Sequence, residues 1–265
     1  MRIYYKRLLF AAGLSVFIST GGISAMASGV VKSGPGYVAE TNTEAKTEAK
    51  TEAESLHQQQ EEPSIASRLQ AAENCNKFIL VVGQGGANAA VSYHEKNEEG
   101  IWHEIFVTEG RYGRNGASID KVEGDGKTPV GIYRFTSAFG ILDDPGSILP
   151  YKKLTKYDYW VDDSNSAYYN RMVDTRQVKK DWNSAENMSA SVSYYNYGIA
   201  LDHNVNQIPG KGSAIFIHCL KGEADNGSSG CIKIPETLMK QLIQSVDGET
   251  KIAIYSDISQ LTYVD

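Results

Sequence analysis

The stretch "SAIFIHCLKGEADNGSSGCIKIPE", residues 213 to 236, holds His218 and two of the chain's three cysteines, Cys219 and Cys231. An apolar run ends at an imidazole; twelve residues rich in Gly, Asp and Ser follow, and then comes a thiol. Such a layout can bring His218 and Cys231 together across a short loop. A thiol becomes a nucleophilic thiolate when a base or cation stands beside it, and histidine is the usual supplier. Gly230, directly before Cys231, permits a tight turn that lets N–H groups near the cysteine face a developing oxyanion. Zinc is the rival reading, with His203, His218, Cys219 and Cys231 as ligands. It is disfavoured because no C-x-x-C pair is present and adjacent His and Cys make poor tetrahedral geometry, so no metal is expected.

A second segment, "EGDGKTPVGIYRF" at residues 123 to 135, places Asp125 and Lys127 before Thr128-Pro129 and a strand. By composition it is a hairpin connection. A phosphate-binding loop would need GxxxxGK[ST] opening a helix, and that spacing is missing.

The elements that must position these residues are mostly strands. Apolar or alternating runs at 77–84, 89–96, 102–110, 131–140, 195–204, 213–220 and 251–257 lie between Gly and Asn turns. One helix is expected over 234–246, with Leu238, Leu242 and Ile243 on one stripe. Residues 143–193 are polar and rich in Tyr, Asp and Asn, in the manner of a long lid or insertion. The fold class is mainly β: a sandwich or open barrel with one or two short helices.

With the histidine, the thiol and the strands in place, the sequence resembles the catalytic signature of the L,D-transpeptidase family, the YkuD-type domains. That signature is a strand ending in His-Gly, a loop, then Ser/Thr-His-Gly-Cys, an aliphatic residue and Arg. His218, Ser228, Gly230, Cys231 and Ile232 match it; Cys219, Ser229 and Lys233 stand where Gly, His and Arg are usual. "GDGKTPVGIY" resembles a second recurrent feature of the same domains, in the same order, and together the two span roughly residues 77 to 257. The resemblance implies Cys231 as nucleophile and His218 as its base. It further implies Gly230 and Ser229 in the oxyanion or orienting group, and Ser228 and Lys233 in substrate binding. A Lys for Arg exchange removes the planar fork that grips a carboxylate bidentately. The group that orients His218 is not legible in the sequence; the carbonyl or thiol of Cys219 is one candidate. No cofactor is implied. The reaction implied is acyl transfer from a tetrapeptide peptidoglycan stem through a thioester, forming a cross-link. L,D-carboxypeptidase activity and an idle wall-binding module are the alternatives.

Residues 1 to 27 have the form of an export leader or N-terminal anchor: Arg2, Lys6 and Arg7, an apolar core, and "AMA" at 25 to 27. Residues 28 to 65 carry the TEAK repeats and read as a disordered tether, too poor in large apolar side chains to offset ordering entropy. Residues 66 to 265 then form the catalytic domain. The chain's net charge is −6; the leader's three cations leave −9, and seven Glu with three Lys in the tether leave −5 on the domain. That balance excludes a nucleic-acid partner. The expected partners are peptidoglycan stems, with a possible N-terminal membrane association, for an extracytoplasmic monomer. Three cysteines in an exported chain leave at least one unpaired within it. A Cys75 to Cys219 bridge would free Cys231, whereas Cys219 to Cys231 would silence it. His57 lies in the tether, His94 and His103 are expected at exposed strand positions, His203 has a turn or strand-end role as its default, and the tryptophans and most tyrosines a packing role.

Overall fold

The computed structural model describes residues 63–222 and 224–264. The leader and the tether lie outside the described residues, apart from the tether's last three.

Among the described residues, fourteen strands and one α-helix follow in chain order. The first six strands are β1 (Lys77–Gly83), β2 (Asn88–Lys96), β3 (Trp102–Arg111), β4 (Ala117–Ser118), β5 (Thr128–Pro129) and β6 (Gly131–Gly140). Then come β7 (Tyr151–Lys153), β8 (Asp158–Val161), β9 (Arg171–Asp174), β10 (Ala185–Asn187), β11 (Gly198–Leu201), β12 (Phe216–Leu220) and β13 (Ile232–Pro235). Helix α1 (Glu236–Ser245) and β14 (Lys251–Tyr255) complete the set. The main sheet runs β11-β12-β13-β3-β2-β1-β14-β6-β7, and β11 also pairs with β6. That extra pairing closes eight strands into a barrel-like circuit, so the expected sandwich or open barrel is a closed sheet.

Period-two alternation decides what each strand buries. Along β1, Ile79 and Val81 face the barrel core with Val91, Ile217, Ile232 and Ile254. Phe78, Leu80 and Val82 face a second cluster with Ile65, Leu69 and Trp102. Both faces are covered, which is why "KFILVVG" reads as a continuous apolar run rather than an alternating one. Packing of the chain against this outer face is already under way at Ile65. Helix α1 buries Met239, Leu242 and Ile243 at i, i+3 and i+4, with Leu238 half-buried beside them.

The Tyr-rich segment is not an irregular lid. It folds as its own three-stranded antiparallel sheet, ordered β10-β8-β9, around Val161, Val173 and Trp182. Its strands are three or four residues long and are tied by Asx turns; Asp163 accepts from the N–H groups of Asn165 and Asn183 at 2.9 and 2.8 Å.

Candidate active site

Strands β12 and β13 run parallel and side by side, with Ile217 opposite Ile232 and His218 opposite Lys233. Ile217, Cys219, Ile232 and Ile234 point into the barrel core. The alternate residues Phe216, His218, Cys231 and Lys233 therefore share the other face. His218, Cys231 and Lys233 line a cavity of about 550 Å³ on that face. The remaining walls include Arg114, Ser213 and Ala214, and Asp162, Glu186, Tyr194 and Tyr195 from the Tyr-rich segment and its end.

The turn that presents Cys231 is built from both sequence motifs. Ser228 bridges to the β3–β4 connection: its N–H donates to the Tyr112 carbonyl and its carbonyl accepts from the Arg114 N–H, each at 2.8 Å. The Ser228 hydroxyl donates to the Cys231 carbonyl at 2.6 Å and accepts from the Gly230 N–H at 2.9 Å. Thr128, in the GDGKTP segment, accepts from the Gly113 N–H at 2.8 Å and donates to the Gly230 carbonyl at 2.7 Å. A Cβ on Gly230 would lie 2.9 Å from Ile215 Cδ1 and 3.1 Å from the Lys127 carbonyl, so the turn closes only on glycine. Lys233 donates to the Asp225 carboxylate and, at 2.7 Å, to the Gly227 carbonyl, pinning the loop from below.

Electrostatics follow from burial. The Cys231 thiol, 8 % exposed, is pushed up to about 12, by burial first and then by the Glu186 carboxylate. It donates to the Ala214 carbonyl at 3.1 Å. Ala214 sits at φ 53°, a left-handed conformation unusual for alanine, and the Asn170 side chain accepts from its N–H at 3.1 Å. Burial also lowers His218 to about 4. Its Nδ1 lies 3.1 Å from the Cys219 carbonyl. A carbonyl only accepts, so Nδ1 carries the proton and Nε2 of the neutral ring holds the lone pair. Tyr195 meets this ring edge to face at a centroid distance of 5.0 Å, and its hydroxyl donates to Glu186 at 2.6 Å.

The match to known proteins is decided by the family comparison: residues 87–254 match the family model of the YkuD L,D-transpeptidase catalytic domain. The chain belongs to that family. Among solved structures, similarity extends to Bd1075 of Bdellovibrio bacteriovorus, at 18% identity and a TM-score of 0.41 over 76% of this chain and 55% of that one. The helical cell shape determining protein Pgp2 of Campylobacter jejuni matches at 17% identity and 0.39, over 73% and 51%. An Enterococcus faecium L,D-transpeptidase matches at 14% and 0.32, over 68% and 49%. The chain thus spans about half the length of these proteins. No curated protein sequence matches.

In this L,D-transpeptidase domain the residues singled out by sequence fall into distinct places. His218 and Cys231 share one face and one cavity. Ser228 spends its hydroxyl on the turn, and the Gly230 N–H, expected near an oxyanion, donates to Ser228 instead. Ser229 is exposed at the rim, where it accepts from an Arg114 guanidinium N–H at 2.8 Å and not from the imidazole. Lys233 is buried against Asp225, so its charge is committed to the loop. All three cysteines are free thiols. Cys219 faces the core, opposite to Cys231, with its thiol raised to about 12 by burial. His203 packs edge to face on Tyr133 and its Nε2 lies 3.0 Å from the Lys211 carbonyl. Sequence reasoning missed Arg114, Thr128 and the acids Asp162 and Glu186. Of these only Thr128 carried a signal, as part of the GDGKTP motif.

Proposed function

We propose that this chain is a cysteine-dependent L,D-transpeptidase acting on tetrapeptide stems of peptidoglycan, with Cys231 as nucleophile and His218 as base. The observation that carries the reading is the parallel pairing of β12 and β13, which brings an imidazole and a thiol from one face into one cavity. In the resting pair both groups are neutral, since burial disfavours thiolate and imidazolium alike. Proton transfer from Cys231 Sγ to His218 Nε2 accompanies attack on the carbonyl between the L-centre of the diamino acid and the terminal D-Ala. The Cys231 N–H is the backbone donor left for the oxyanion, because that of Gly230 is engaged. The C–N bond breaks, the leaving amine of D-Ala takes the imidazolium proton, and a thioester remains. A second stem's side-chain amine then displaces sulfur and forms the cross-link; water in its place gives carboxypeptidase turnover. Arg114, exposed at the rim with a guanidinium fork, is the group that receives the D-Ala carboxylate, the role sequence had given to Lys233.

In this reading residues 1–27 are an export leader or anchor, and residues 28–65 are the tether that lets the catalytic domain reach the wall. The deciding experiment is incubation of the reduced protein with a carbapenem, read by intact mass. A single adduct that is lost in Cys231→Ala supports the assignment. No adduct, together with a Cys231→Ala variant that trims or cross-links stems like the parent, overturns it.

A further inference from the structure

The cavity beside Cys231 has a polarity that the thiol does not need. Its charged lining is Arg114, Lys233 and Glu123, the last bonded to the Tyr169 hydroxyl, together with Asp162 and Glu186 from the three-stranded sheet and its edge. Glu186 in β10 is paired with Trp160 of β8, and Asp162 lies two residues beyond Trp160. The two carboxylates are therefore diagonal neighbours on one face of the small sheet. They sense each other, since Asp162 raises Glu186 in addition to burial. Glu186 also raises the Cys231 thiol, so this wall opposes formation of the nucleophile. A feature that hinders acylation is explained if it serves the step after it, when sulfur is bound in a thioester and carries no charge.

Two polar atoms of the same cavity wait for a ligand. Among the described residues no protein group bonds the buried Asp162 Oδ1, and none bonds the Ser213 hydroxyl, on a side chain 93 % buried next to Ala214. Buried polar atoms are rarely left unpaired, because each costs the full desolvation of the group. A carboxylate pair and a hydroxyl lining one cavity present acceptors and one rotatable donor, which suits a primary ammonium with its three N–H groups.

Resting on the transpeptidase reading above, we infer that Asp162, Glu186 and Ser213 form the acceptor subsite, holding the side-chain ammonium of the incoming stem against the Cys231 thioester. Glu186 takes one proton from the ammonium, whose freed lone pair attacks the thioester carbonyl. The C–N bond forms, the C–S bond breaks, and the amine's second proton passes through His218 to the Cys231 thiolate. The products are an amide, a thiol and a protonated Glu186 that returns its proton to water. The donor carboxylate at Arg114 and the acceptor ammonium at Asp162 and Glu186 thus use different residues of the one cavity.

The test separates the two half-reactions in the full chain. A tetrapeptide stem serves as donor, and a tripeptide stem with a free side-chain amine serves as acceptor, its N-acetylated form being the control. Intact mass reads the thioester; product analysis reads the ratio of cross-link to hydrolysis. In Asp162→Asn and Glu186→Gln the thioester still forms, which also reports folding, and Glu186→Gln acylates at least as fast because a repulsion on the thiolate is gone. The acceptor KM rises about tenfold or more, as expected for a lost charge-assisted hydrogen bond, and the cross-link to hydrolysis ratio falls with it. Variants that form thioester and keep the parent's acceptor KM and product ratio overturn the acid-wall assignment alone. A parent chain that forms no thioester overturns the transpeptidase reading and this inference together.

Discussion

Thr128→Val is the substitution that best isolates how the two sequence motifs cooperate. Thr128 is fully buried, and its hydroxyl links the Gly113 N–H to the Gly230 carbonyl. Valine keeps the shape and the β-branch but offers neither donor nor acceptor, so two buried backbone groups lose their partner. Each such orphan costs about 1–3 kcal/mol, which sums to about 2–6 kcal/mol. For a domain of this size 1 kcal/mol moves Tm by about 2–4 °C, so Tm should fall by roughly 4–24 °C. Thr128→Ser keeps the hydroxyl and loses one methyl, worth about 1 kcal/mol. Because Gly230 immediately precedes Cys231, its carbonyl's release also misplaces the thiol, and a 1 Å error costs about 100-fold in rate. Thermal melts and carbapenem acylation rates on the parent and both variants form the assay. If Val and Ser melt alike, or if Thr128→Val acylates at the parental rate, the claim that this hydroxyl holds the nucleophile's turn is wrong.

Three further outcomes follow from the site. Lys233→Met strands the buried Asp225 carboxylate and should cost about 3–5 kcal/mol in urea unfolding, with most of it recovered when Asp225→Leu is added; an additive double variant would contradict the pairing. Arg114→Ala should raise the donor stem's KM far more than it lowers kcat and leave Tm almost unmoved, since the side chain is exposed with one rim hydrogen bond. His94 and His218 are both lowered by burial to about 4, so the unfolded chain binds their protons first as pH falls below about 6.5. Stability should drop between pH 6.5 and 4, by up to about 3 kcal/mol per histidine, with Glu186, whose carboxyl is raised, offsetting part of it. Urea midpoints unchanged from pH 7 to pH 4.5 would refute this.

What was legible in the sequence was whatever a local pattern encodes. The run at 131–140 is β6 residue for residue, and β1, β2, β3 and β14 fall within two residues of their expected ends. Helix α1 was legible from its apolar stripe, although Met239 rather than Leu238 is its most buried member at that turn. The segment at 143–193 hid its sheet because strands of three or four residues cannot show a period, and its core is drawn from Trp182 with two valines rather than an aliphatic run. Within the site, His218, Gly230 and Cys231 lie on one continuous stretch and were visible. Thr128 and Arg114 reach it across more than a hundred residues of chain, through bonds to Gly230 and Ser229. Lys233 is a different case: its partner Asp225 is near in sequence, but only the fold buries both.

The three-stranded sheet is inserted between β7 and β11, and supplies one wall of the cavity while β12, β13 and the two loops supply the thiol, the imidazole and the turn. In the proposed reaction, reactivity and selectivity are thereby written in separable parts of the chain. Exchanging residues on the inner face of β8 and β10 offers a route to retarget the domain to amines of other length or charge without redesigning its nucleophile. One tie to be respected in such grafting is Asn170, which reaches from the insert to Ala214 and so sets the carbonyl on which the resting thiol leans.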